Sequence, residues 1–350
     1  MGDAVYEDVE IGLDDSCEER EENRSKRRRT GVKSLRQNGR KYLDILNAHP
    51  RDRRLFFDEK PHIYYIDGDC TDVMSVTAFV HRLFPPFDKP KIINGILQSY
   101  RFRNNLRYYP PCLSAIKMKM YTNASASNLE LEHVDIEQYA EDIILSTEWP
   151  TTQWYRLAYR IVENIWTKAA QDGTAGHDNI ENCLNELPYH EDWKSMKLVK
   201  RFWKDYPHWK IFRTEQRIFC LKALLAGSVD ALYEDIKLGE KIVVDWKLCN
   251  QIRFEGFCNC GVKHRENCGA FGTHPVTSDL PASNYYTYSM QVNTYRYIYE
   301  THYGYKINAC HLVVVHPDQD DYIIYKVPDM QAKVAALMQE RKLEVKAVDR

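Results

Sequence analysis

The chain has 350 residues, 44% of them apolar, a formal net charge of -2 and ten cysteines. That share of apolar side chains is enough for a sizeable core in one large or two ordinary domains. No stretch approaches the length of a signal-peptide core or a membrane span, and the scattered cysteines are not the framework of a small secreted domain, so a soluble intracellular protein in a reducing compartment, with no membrane partner, is expected.

Residues 1–22 hold ten acids against the single Arg20, and residues 24–54 hold twelve Lys or Arg against Asp44 and Asp52. Without apolar periodicity, residues 1–54 read as a charged, disordered tail. Two alternatives attach to its basic run at 24–41: a nuclear localisation signal in Ser25-Lys26-Arg27-Arg28-Arg29, or a phosphate-binding arm. From Leu55 the pattern changes. His62 to Ile66, the turn Asp67-Gly68-Asp69 and Val73 to Thr77 predict a β-hairpin. Residues 77–103 predict helix broken at Pro85-Pro86, while residues 108–128 are irregular. The region 55–150 is thus a hairpin with a mostly helical extension, in which Arg101, Arg103, Arg107, Lys117 and Lys119 offer a basic path for a substrate strand.

Residues 151–350 form the second region. Trp154, Leu157, Ala158, Ile161, Ile165 and Trp166, then Ile180 and Leu184 past Gly173, predict a helix, a break and a second helix. An amphipathic helix over 193–206 precedes strands at 211–220, 224–233 and 241–248, the last apolar enough to be buried on both faces. An insertion over 250–283 is rich in Gly, Cys, Asn and Pro. A Tyr-rich helix (285–303), strands at 308–315 and 322–327, and a charged helix (330–343) complete the chain. The expected class is α/β, a mixed central β-sheet flanked by helices, with a mostly helical N-terminal portion.

Asp245-Trp246-Lys247 closes the most apolar strand, and residues two apart on a strand share a face. A carboxylate and an ammonium therefore meet at one buried edge, at a desolvation cost that asks for partners or a task. Gly227-Ser228-Val229-Asp230 lies fifteen residues upstream, and an antiparallel hairpin brings Asp230 towards Asp245. Two carboxylates converging there suit a hard divalent cation such as Mg²⁺, which polarises a phosphate oxygen and acidifies a water. In Gly173 to Glu181, His177 and Glu181 stand four apart, on one helical face. Gln291 and Tyr295 repeat that spacing on the Tyr-rich helix.

Together the Gly-Thr-x-x-His-x-x-x-Glu helix (Gly173 to Glu181), the Gly-x-x-Asp strand (Gly227 to Asp230), the Asp-x-Lys strand (Asp245 to Lys247) and the Gln-x-x-x-Tyr helix (Gln291 to Tyr295) resemble the RecB-like branch of the PD-(D/E)XK nucleases, over about residues 150–330. The hairpin with Met74 to Thr77 resembles the mitochondrial genome maintenance exonuclease group and large-DNA-virus nucleases. The resemblance implies a restriction-endonuclease-like core and Mg²⁺- or Mn²⁺-dependent hydrolysis of DNA, by an exonuclease acting on single strands or free ends in replication, repair or recombination. It implies that His177, Asp230, Asp245 and the carbonyl of Leu248 ligate the metal, and that Lys247 orients the water or stabilises developing charge. Gln291 and Tyr295 would steady the lysine or the strand. Glu181 would support the ligands from behind, and Glu215 would join or buttress them or lie on a solvated strand face with Arg213 and Arg217.

Some relatives bind an iron-sulfur cluster through one cysteine before the nuclease motifs and three close together after the Gln-Tyr helix. Cys310 is the sole cysteine there, so no such cluster is expected. Cys258, Cys260, His264 and Cys268, with His274, offer a structural zinc site, but Cys-x-Cys is tighter than usual zinc spacing and a loop of free thiols is the favoured reading. Two alternatives to the enzyme are a nucleic-acid-binding protein that keeps the fold without turnover and an interaction protein organised by zinc.

Overall fold

The computed structural model describes residues 41–98, 151–257 and 269–348. The basic residues 24–40, the irregular span 108–128, the proposed basic path at 101–119 and the zinc candidates Cys258, Cys260, His264 and Cys268 lie outside them. Among the described residues, no helix is long and apolar enough to cross a membrane. The described residues divide into two compact units, one containing 86–98, 151–172, 257 and 269–270, the other 41–85, 173–256 and 271–348.

The second unit begins earlier than the composition predicts. Instead of a tail to residue 54, residues 41–54 form helix α1 (Tyr42–Leu46) and a 3-10 turn (Pro50–Arg54). His49 caps that turn, its Nδ1 accepting from Arg51 N while its own N–H donates to Asp52. A hairpin follows, but not the one predicted. Strand β1 (Leu55–Asp58) pairs antiparallel with β2 (Ile63–Ile66). The Asp67-Gly68 turn closes a single bridge between Ile66 and Asp69, and β3 (Met74–Ser75) leaves to pair parallel with another strand. Ser75 Oγ then accepts from Ala78 N at 2.9 Å, so the predicted strand turns into helix α2 (Val76–His81) at its cap.

In the first unit, α3 (Lys89–Gln98) follows the expected Pro85-Pro86 interruption. Tyr155 of α4 (Thr151–Leu184) donates to Asn94 of α3, and Ile93, Leu97, Trp154, Leu157, Ile161 and Trp166 of the two helices are all buried. The break expected at Gly173 does not occur, since α4 runs unbroken for 34 residues and its last third belongs to the second unit. A helical glycine costs about 1 kcal/mol against alanine, which packing on a long helix outweighs.

The second unit is built on a six-stranded mixed sheet: β3, β4 (Trp209–Cys220), β5 (Leu225–Asp235), β6 (Glu240–Lys247), β7 (Ile307–Val314) and β8 (Ile323–Lys326). β5 lies against β4 along one edge. Its other edge pairs with β3 at Leu225 and Ala226 and with β6 from Ala231 to Asp235. Gly227 to Asp230 therefore lie in the gap between two different neighbours. β6 and β7 run parallel, joined by a crossover carrying the 250–283 segment and α6 (Asn284–Ile298).

Residues on β6 alternate between layers. Ile242, Val244 and Trp246 share a core with Ile180 at the end of α4 and with Met196, Val199 and Phe202 of α5 (Met196–Asp205). Phe202 meets Trp246 edge-on at 5.2 Å and Tyr233 at 6.2 Å. The other face meets α6, which continues as a π-helical turn (Tyr299–Tyr303), and α7 (Gln331–Val348) packs on α6.

Candidate metal centre

Where β5 parts from β6, three side chains from separate elements meet. His177 comes from α4, Glu215 from β4 and Asp230 from β5, and one ligating atom of each lies within 4.8 Å of the others. His177 Nδ1 is 3.4 Å from Asp230 Oδ2. That oxygen also accepts the backbone N–H of Trp246 at 2.8 Å, so Asp230 bridges the parting between strands and takes up a donor that the β5–β6 ladder leaves free.

Glu215 reaches the cluster through an unusual backbone. Its φ is 42°, in the left-handed region that a residue with a Cβ enters at a cost of about 1 kcal/mol or more. The register pairs Thr214 with Ala231 and Gln216 with Val229 and skips the residues between them, so that Glu215 faces Asp230. The layers exchange there: Thr214 Oγ1 accepts from Asn185, just past α4, at 2.8 Å, whereas Gln216 Oε1 accepts from Tyr299, beyond α6 on the opposite side. Ser228 Oγ donates to Glu215 Oε2 at 2.7 Å. Burial pushes the Glu215 carboxyl up to about 7 and the Asp230 charge adds to the rise, against the opposing pull of His177 and Ser228.

The Asp-x-Lys pair occupies the end of β6. Asp245 is 3% exposed and Lys247 7%, with Lys247 Nζ 3.1 Å from Asp245 Oδ2. The alignment is not that of a hydrogen bond, and Asp245 Oδ2 accepts none from any described residue. The ammonium also sits 4.3 Å above the Tyr288 ring. Asp230 and Asp245 are next in register after the last β5–β6 pair, Ala231 with Val244. Yet Asp245 is outside the 4.8 Å group, and the carboxylate that completes it is Glu215. Asp245 lies against Lys247, while the carboxylate grouped with Asp230 is that of Glu215.

Two motif glycines have steric reasons. A Cβ on Gly176 would stand 2.3 Å from Leu248 Cδ2 and 2.8 Å from the Trp193 ring, so a bare backbone lets α4 approach the end of β6 just before His177. A Cβ on Gly227 would stand 2.7 Å from the Tyr295 ring. Gln291 Nε2 donates to Tyr295 Oη at 2.9 Å and to Thr77 Oγ1 at 3.0 Å, joining α6 to α2. Glu181 pairs with Lys41 and lies 3.4 Å from Thr214 Oγ1, one turn behind His177. His274 caps the turn at Pro275–Thr277 and lies 3.1 Å from Glu340.

Sequence reading missed Tyr288 and Ser228. Both sit inside the motifs, Tyr288 three residues before Gln291 and Ser228 within Gly-Ser-Val-Asp, so helical and strand spacing carried the signal. The donor set fits a divalent cation: one imidazole and two carboxylates meet in a partly buried corner, with the Glu215 carboxyl raised by burial first and by the Asp230 charge second, and a cation there offsets both. No protein-family model matches the chain, and a search of curated proteins returns no match.

Proposed function

We propose that this chain is a divalent-metal-dependent nuclease of the PD-(D/E)XK type, hydrolysing DNA phosphodiester bonds. The observation that carries the reading is the convergence of His177, Glu215 and Asp230 from three elements, beside an Asp245–Lys247 pair on the next strand. The motif order supports it, because each of the four sequence motifs contributes to this one corner of the sheet.

His177, Glu215 and Asp230 would hold Mg²⁺ or Mn²⁺, with Asp245 and the Leu248 carbonyl as the further ligands that the resemblance implies. Such an ion supplies Lewis acidity towards a phosphate oxygen and acidity to a water. The chain's own contribution is orientation and charge. Lys247 is a buried cation held between a carboxylate and an aromatic face, suited to an anionic phosphoryl oxygen where little water competes. Gln291, Tyr295 and Thr77 fix α6 to α2 and so keep Tyr288 over the lysine. Trp246 N–H holds one oxygen of Asp230, leaving less rotational freedom to lose on ligation. Exonucleolytic action on single-stranded DNA or free ends is the mode that the resemblance favours.

End-labelled single- and double-stranded oligonucleotides, incubated with Mg²⁺ or Mn²⁺ beside an Asp230→Asn protein, test this. Cleavage by the parent protein alone is expected, and equal cleavage by both, or by neither, overturns the reading.

A further inference from the structure

Arg213 is 4% exposed on β4, two residues before Glu215, and its guanidinium reaches out of the sheet into residues 41–54. Nη1 donates to Asp52 Oδ2 at 2.8 Å and to the carbonyl of Asn47 at 3.0 Å, while Nη2 lies 3.0 Å from Asp44. Asn47 Nδ2 donates to the Phe212 carbonyl at 2.8 Å. The same segment holds the end of α4: Leu43 N–H donates to Asn185 Oδ1 at 3.2 Å, and Lys41 pairs with Glu181. Asn185 in turn donates to Thr214. Thus Phe212, Arg213 and Thr214 are tied in sequence, and on the other side Gln216 is held by Tyr299. Glu215, left-handed at φ 42°, is the one residue between these fixed flanks.

A strained backbone persists only where its surroundings over-determine it. We infer that residues 41–54 are a clamp on the metal centre, whose Asp44–Arg213–Asp52 bridge holds β4 in the conformation that turns Glu215 towards His177 and Asp230. The inference rests on the proposed metal site. Arg213, Asp44 and Asp52 are positioning residues, acting through Glu215 rather than touching the ion. A buried arginine whose Nη atoms meet two carboxylates and a carbonyl gives direction, because a guanidinium binds in fixed planes where a lysine would swivel.

The experiment is a double-mutant cycle on the full chain, read as Mn²⁺ affinity by titration calorimetry without nucleic acid. Arg213→Met and, should that protein fail to fold, the near-isosteric pair Asp44→Asn with Asp52→Asn, break the clamp. Affinity should fall about tenfold or more, as for other residues that orient metal ligands. Glu215→Gln should weaken binding in the intact protein and change little once the clamp is broken. Circular dichroism confirms that each variant is folded. If the two losses simply multiply, or if clamp variants bind Mn²⁺ like the parent, the clamp is refuted. If Glu215→Gln alone leaves Mn²⁺ affinity unchanged, Glu215 is no ligand and the clamp falls with it, while the activity test above judges the nuclease reading separately.

Discussion

The two faces of β6 bury opposite kinds of side chain. Ile242, Val244 and Trp246 enter an apolar layer in which Phe202 touches Tyr206, Trp209, Tyr233, Trp246 and Tyr322. Between them Asp245 and Lys247 enter the other layer as a buried ion pair, with one carboxylate oxygen lacking a hydrogen bond. A two-residue period therefore separates residues that fasten the strand from residues that the fold tolerates at a cost. An ion pair with an oxygen short of a hydrogen bond survives at the end of this strand because the opposite face anchors the backbone.

The comparison breaks most sharply at Trp246. Trp246→Ala should cost about 3–5 kcal/mol of stability, read by denaturant unfolding, since a large ring leaves a core that cannot collapse around it. A loss below about 1 kcal/mol would mean the apolar layer does not anchor the strand. Asp245→Asn combined with Lys247→Gln tests the other face. Removing both charges avoids stranding one of them, so the melting temperature should hold or rise while cleavage falls by about 10²–10³-fold. A folded double variant that still cuts would take the pair out of the chemistry.

The carboxylate cluster gives a pH prediction. Glu215 keeps its proton up to about 7 in the folded state but only to its ordinary value of 4.5 when unfolded. Between those values the folded state binds more protons, so stability of the metal-free protein falls as pH rises through the window. In chelator, the melting temperature should decline from pH 5 to pH 8, and Glu215→Gln should flatten that slope. An equally steep decline in the variant would assign the effect to another group. Smallest is Tyr288: Tyr288→Leu should lower kcat by about tenfold at most with KM little changed, and Tyr288→Phe, which retains the ring face, should restore it. Equal losses in both would point to the hydroxyl instead.

How far the sequence disclosed all this depends on the range of the interaction involved. Gln291 and Tyr295, four apart, do bond on one helix, and His177 and Asp230 do meet, because spacing along an element fixes which side chains share a face. The hairpin partner of Ile63 to Ile66 was misjudged because the Asp67-Gly68 turn is a stronger local signal than the Glu59-to-His62 connection, and the two-residue pairing of Met74 and Ser75 has no pattern to read. Arg213 looked like a solvated strand residue. Its partners lie over 160 residues away in a segment whose composition suggested a tail. Nor does Thr-Glu-Gln contain a glycine to announce the left-handed turn at Glu215. Local chemistry was legible; the part of the site assembled by distant segments was not.

The amide of Trp246 is the point where scaffold and carboxylates join, for its ring lies in the aromatic core and its N–H is bound by Asp230. In protein labelled with ¹⁵N only at tryptophan, seven backbone resonances should appear, one for each tryptophan in the chain. One of them carries an electronic link to the cluster, so titrating a diamagnetic ion such as Mg²⁺ should displace that signal ahead of the rest. The strand thereby contains its own spectroscopic gauge of cation occupancy, readable in the absence of any nucleic acid.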